Sequence, residues 1–80
     1  MNSKALLITG SSRGIGAATA VLAAARGWDV AVNYLNNRAA AEDVVNRARS
    51  FGIVAKAIQG DIGSSNDVSH LFKEVDRVFG

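Results

Sequence analysis

Three glycines set between an apolar run and an alanine-rich stretch constrain this chain more than any other feature. The run is Ala5-Leu6-Leu7-Ile8, the turn is Thr9-Gly10-Ser11-Ser12-Arg13-Gly14-Ile15-Gly16, and Ile15 to Arg26 reads as a helix. Strand, glycine-rich turn and helix in that order present a helix N-terminus to a phosphate. Gly10 lets the chain turn sharply off the strand, because glycine tolerates positive φ. Gly14 removes a side chain where backbone N–H groups must approach an anion, and Gly16 lets the helix pack closely on the sheet. A pyrophosphate here meets unpaired N–H donors and the positive end of a helix dipole worth roughly 0.3–1 kcal/mol at a surface.

The spacing is Gly-x3-Gly-x-Gly, with Thr at position 19, and not the Gly-x-Gly-x-x-Gly of many dehydrogenases. No Gly-Lys-Ser/Thr comes after it, which argues against a nucleoside-triphosphate loop. Eighty residues are at most one small domain. An apolar fraction of 49% and a charged fraction of 20% fit an ordinary globular chain. The net charge of +2 comes without a block of like charges, so neither nucleic acid nor a membrane surface is implied. With no cysteine and a single histidine, disulfides, thiol nucleophiles and the familiar zinc constellations are excluded. Met1-Asn2-Ser3-Lys4 runs directly into the first strand, and no apolar run reaches transmembrane length, so the expected location is the cytoplasm.

The first strand is expected over Lys4 to Thr9, buried on both faces because its run is almost continuously apolar. The first helix, Ile15 to Arg26, has few polar positions and is expected to be covered on most sides, with Gly27 at its C-cap. The second strand is Asp29 to Tyr34, with Trp28 packed at its entrance. Asn36 and Asn37 are candidate N-caps for a helix over Arg38 to Phe51, whose apolar stripe is Ala41, Val44, Val45, Ala48 and Phe51. The third strand is Ile53 to Gln59. Ser64 and Asp67 resemble a capping box at the head of a helix striped by Val68, Leu71, Phe72, Val75, Val78 and Phe79. His70 falls at the edge of that stripe, with no serine or acid placed to make a triad.

This β-α-β-α-β-α alternation argues for an α/β fold with a parallel, Rossmann-type sheet, half of a doubly wound architecture. Right-handed crossovers predict strand order 3-2-1, with the first two helices on one face. Ligands of such sheets bind at the carboxyl ends of the strands. That rule groups residues 9–16, 33–37 and 60–62 around one crevice. An NAD-specific fold of this kind carries Asp or Glu after the second strand, on the ribose 2′-hydroxyl. Here the run Asn33-Tyr34-Leu35-Asn36-Asn37 holds no acid, so nothing there repels a 2′-phosphate.

Thr-Gly-x3-Gly-x-Gly after a first strand resembles the cofactor loop of the short-chain dehydrogenase/reductase family. The likeness is greatest to the branch with 3-oxoacyl-carrier-protein reductases and glucose 1-dehydrogenases, and it extends over the whole chain. The resemblance implies cofactor contacts along the turn at Gly10, Ser12, Arg13, Gly14, Ile15 and Gly16. The family places its acid at Tyr34, so Tyr34→Asp is expected to turn preference toward NAD(H). Arg13 stands where relatives that prefer a 2′-phosphate carry a basic residue, which implies NADP(H) over NAD(H). The resemblance also puts Ser12 and Asn33 near the adenosine ribose phosphate. Arg38 is a second basic candidate, though a solvated charge at a helix start is the favoured reading of it. Asp61-Ile62 looks like the family's pair at the adenine, where the carboxylate accepts from the amino group and the next backbone meets the ring edge. The lesser alternative is that Asp61 only caps the adjacent loop.

Family members bind the cofactor with this part and do their chemistry with the part of the domain beyond it. The implied reaction is hydride transfer between the nicotinamide and a small carbonyl or alcohol substrate, in an enzyme that is a homo-oligomer. The expected catalytic serine and Tyr-x-x-x-Lys do not occur here: Tyr34 is the single tyrosine, and position 38 is arginine. The chain is therefore read as the nucleotide-binding portion of one such domain, cut after its third helix, with no catalytic or metal-binding residue of its own. A non-catalytic nucleotide-binding or regulatory module stays open. An isomerase or epimerase on a related fold fits less well, because those usually carry Gly-x2-Gly-x2-Gly. The first strand, flat, apolar and uncharged, is an association hazard wherever its edge is open.

Overall fold

The computed structural model describes residues 5–9 and 14–79. Six elements alternate along the chain: β1 (Ala5–Ile8), α1 (Gly14–Ala25), β2 (Asp29–Tyr34), α2 (Arg38–Arg49), β3 (Ala55–Gln59) and α3 (Ser65–Phe79). The strands form one parallel sheet in the order β1-β2-β3. β2 is central, and five of its six residues are buried.

The alternation of side chains along β2 separates two cores. Val30, Val32 and Tyr34 pack into one layer with Ala17, Ala20 and Ala24 of α1 and with Ala41, Val44, Val45 and Ala48 of α2. Ala31 faces the other way and joins Ile58, Leu71 and Phe79 beneath α3. So α1 and α2 share one face of the sheet and α3 covers the other. The first face is built largely from alanines, which let two helices and a sheet approach closely. The second depends on a few large side chains.

Leu71 is 2% exposed at the centre of that second core. Leu71→Ala is expected to cost about 2–5 kcal/mol through lost burial and the cavity left behind. A domain of this size has a total stability on the order of 4–12 kcal/mol. The urea midpoint should fall steeply, and an unchanged midpoint would refute this packing.

Several sequence expectations need correcting. β1 is not buried on both faces, since all four of its residues are only half-buried. Among the described residues it pairs with β2 on one side alone, and α1 offers it mostly methyl groups. Nor is α1 covered on most sides: only Ala17, Ala20 and Ala24 are buried, and Leu22 is exposed. One stripe meets the sheet and α2, and the other faces meet no described element. Helix α2 stops at Arg49, short of Phe51, which is exposed. Ser50 Oγ donates to the Arg47 carbonyl at 2.7 Å and Gly52 takes φ +83°, so the chain leaves the helix before Phe51 can join the stripe. β3 starts at Ala55 rather than Ile53 because the Val54 N–H is held by Asp29 Oδ1 at 2.9 Å, outside the ladder. Phe72 of α3 is also exposed rather than part of the core stripe.

The end of α1 does adopt its expected cap. Gly27 at φ +88° donates to the Ala24 carbonyl at 3.0 Å, and Trp28 N–H donates to the Ala23 carbonyl at 3.1 Å. That pair of bonds is the Schellman arrangement, and its left-handed residue favours glycine. At the other side of the sheet, Arg49 reaches across to the outer edge of β3. Its Nε and Nη2 donate to the Ala55 carbonyl at 3.1 and 2.9 Å. In the ladder with β2, Val54 and Gly60 face inward, through Val30 N–H to Val54 carbonyl and Gly60 N–H to Tyr34 carbonyl. By alternation the Ala55 carbonyl points outward, and Arg49 occupies it.

Candidate functional site

Parallel strands bring their carboxyl ends to one rim of the sheet. The register pairs Ile8 with Val32 and Tyr34 with Gln59, so the chain leaving β1, β2 and β3 emerges along that rim. Helix α1 starts there at Gly14, whose φ of +68° favours glycine and whose Cβ position is open space. The first turn of α1 carries no acidic residue, so the positive end of its dipole is uncompensated from within the helix. Ile15 is 88% exposed beside it, and Gly16 is half-buried. Gly10, Ser12 and Arg13 lie outside the described residues.

The end of β2 is set differently from what its polar letters suggest. Asn33 is 2% exposed, a buried polar side chain in a central strand. Its Nδ2 donates to the carbonyls of Ile58 and Gly60, both at 3.1 Å. Burying an amide is costly unless it is hydrogen-bonded, and two carbonyls at the end of β3 satisfy this one. Tyr34 is 9% exposed, and its ring belongs to the core between β2 and the α1–α2 layer. Leu35, Asn36, Asn37 and Arg38 come next, on the surface. Asn37 is the N-cap of α2, its Oδ1 accepting from Ala40 N–H at 3.0 Å. Arg38 is the first residue of that helix, and it is exposed.

The turn after β3 is tightly bonded. Asp61 Oδ1 accepts from Gly63 N–H at 2.8 Å, and the Asp61 carbonyl accepts from Ser64 N–H at 3.0 Å. Asp61 N–H donates in turn to Asp67 Oδ2 at 2.9 Å. The expected capping box is thus half made. Ser64 Oγ accepts from Asp67 N–H at 3.3 Å, but the Asp67 carboxylate reaches back to Asp61 instead of Ser64. Asp61 and Ile62 are both exposed at the rim.

A groove of about 450 Å³ runs between β3 and α3, lined among others by Gln59, Asp61, His70 and Glu74. No described residue of α1 borders it. On its flank the Arg77 guanidinium donates to Glu74 Oε2 at 2.7 Å. That bond holds the Glu74 carboxyl below the usual carboxylate range and raises Arg77. Both groups are at the surface, where such pairs contribute little to stability. Among the described residues no group of histidines and acids could hold a metal ion, and no helix is long and apolar enough to cross a membrane.

Gly14, Ile15 and Gly16 thus stand at the β1 side of the rim and Asp61 and Ile62 at its β3 side, with Asn33 and Tyr34 inside the fold behind it. Sequence reasoning missed the double hydrogen bond of Asn33. The available signal was one amide in the otherwise apolar run Val30-Ala31-Val32.

The sequence matches the short chain dehydrogenase family over residues 4–80. The chain is 45% identical over its full length to versicolorin reductase stcU of Emericella nidulans, and spans 30% of that protein. It is 40% identical over 77 residues to the 3-oxoacyl-[acyl-carrier-protein] reductase FabG of Staphylococcus epidermidis, covering 96% of this chain and 32% of the relative. Among solved structures, acetoin dehydrogenase from Enterobacter cloacae superposes with a TM-score of 0.86 at 28% identity, over 94% of this chain and 31% of that one.

Proposed function

Because the chain belongs to the short-chain dehydrogenase family, we propose that it is the NADP(H)-binding portion of an oxidoreductase, ending within a domain that continues beyond helix α3. The observation that carries this reading is the rim itself. A glycine-led helix start without acidic residues stands at the carboxyl end of the sheet, next to a β2–α2 turn that also lacks acids. The described residues fit a dinucleotide. Gly14 leaves room for a phosphate, and the Asp61 carboxylate, with one oxygen engaged by Gly63, keeps acceptor capacity for an amino group.

When bound, the nicotinamide supplies or takes up the hydride. This chain's part is to hold the pyrophosphate at Gly10–Gly16, the 2′-phosphate at Arg13 with Ser12, and the adenine at Asp61 and Ile62. Versicolorin reductase, the acyl-carrier-protein reductase and acetoin dehydrogenase are oxidoreductases by name, which supports a small carbonyl or alcohol as substrate of the whole protein. That protein is read as a cytoplasmic homo-oligomer whose catalytic serine, tyrosine and lysine lie outside these residues.

The adenine contact gives the test. Asp61→Ala in the full-length protein is expected to weaken NADP(H) and NAD(H) alike, roughly ten- to over a hundredfold, because the adenine is common to both. Asp61→Asn, which can still accept, should lose less. Isothermal titration with both cofactors checks this, and a loss confined to one of them would move Asp61 to the ribose.

A further inference from the structure

The Asn33 amide does more than fill a polar position, and on the proposed nucleotide-binding role we infer that it is a positioning residue for the adenine-side turn. It acts by fixing the backbone from which Asp61 and Ile62 project. The ladder between β2 and β3 ends at Gly60, whose N–H donates to the Tyr34 carbonyl at 3.0 Å. The Gly60 carbonyl would then be the first to leave the sheet, but Asn33 Nδ2 takes it at 3.1 Å, together with the Ile58 carbonyl. Both backbone groups of Gly60 are therefore held by β2, one by main chain and one by side chain. The next residue is gripped from the opposite side, since Asp61 N–H donates to Asp67 Oδ2 of α3 at 2.9 Å. The carboxylate of Asp61 leaves a backbone anchored to the sheet before it and to a helix after it.

Steric fit does not do this job. A Cβ on Gly60 would stand 3.6 Å from Asn33 Nδ2 and 3.9 Å from the Asp67 Cβ, both ordinary contacts. The turn is placed by hydrogen bonds, and asparagine is suited to the role because one short side chain offers two N–H donors. Aspartate has the same shape and no donor when ionised. Leucine has nearly the same size and no donor at all. Serine has one donor on a shorter arm. Asn33 is enclosed, so the amide reaches an adenine only through Gly60 and Asp61.

The experiment uses the full-length protein, with 5′-AMP as the adenine-side probe and nicotinamide mononucleotide as the other. Asn33→Leu is expected to weaken 5′-AMP roughly tenfold or more while nicotinamide mononucleotide changes less than about twofold. Amide exchange at Asp61, Ile62 and Gly63 should accelerate, with Val30 and Val32 remaining protected. Asn33→Ser, which restores one donor and creates no overpacking, should fall between the parent and Asn33→Leu, and it carries the test if the leucine variant does not fold. Equal weakening of both probes, or unchanged 5′-AMP affinity in a folded variant, overturns the inference and leaves the nucleotide site standing. A parent protein that binds neither probe removes the nucleotide reading and this inference with it.

Discussion

Replacing Arg13 with alanine in the full-length protein is expected to weaken NADP(H) roughly ten- to over a hundredfold and to leave NAD(H) nearly unchanged. The two cofactors differ only in the 2′-phosphate, so a group that touches it alone discriminates by the whole value of that contact. A guanidinium bonds a phosphate through two parallel N–H donors, and one charged hydrogen bond is worth about 1.5–3 kcal/mol. Residues 33–37 contain no carboxylate, and α1 has none in its first turn. Raising salt should narrow the gap between the cofactors, since a guanidinium–phosphate contact is ionic. Isothermal titration decides the matter. Equal losses for both cofactors would remove Arg13 from the 2′-phosphate.

Tyr34→Asp is expected to cost about 3–5 kcal/mol, with a further penalty for enclosing a carboxylate. This loss would accompany the turn toward NAD(H) expected from the sequence. The tyrosine ring is 9% exposed and packs in the core formed with α1 and α2. Removing it empties that space, and the new acid has no cation there among the described residues. Leu35, one residue on, is exposed, so Leu35→Asp places an acid at the same turn without opening the core. Urea denaturation should show a much lower midpoint for Tyr34→Asp and little change for Leu35→Asp. Comparable midpoints for the two variants would contradict the burial of Tyr34. Turning cofactor preference at this position therefore calls for compensation in the core.

The features legible in the letters were those with strong local signals. β2 runs from Asp29 to Tyr34, the bounds expected of it. Gly27 terminates α1 through a backbone pattern that a lone glycine after a helical run predicts. Ala41, Val44, Val45 and Ala48 are buried at the spacing expected of them. The misreadings share one cause, which is that an apolar letter does not say what lies opposite it. Phe51 and Phe72 fit helical stripes and are exposed. Gly14 and Gly16 begin α1, and Asp61 follows β3, at the carboxyl end of the sheet. The burial of Asn33 and Tyr34 was not legible, because the face a strand residue takes depends on register and on which helices cover each side.

The Arg49 contact with Ala55 bears on how many neighbours this sheet can accept. Each open edge is one valence for strand addition. On the β3 side, the first outward carbonyl is filled by a guanidinium and Lys56 adds a charge to the rim, two devices that discourage pairing. A strand added on that side would have to displace the Arg49 guanidinium from the Ala55 carbonyl and lie against the Lys56 ammonium, so growth of the sheet is turned away from its β3 edge.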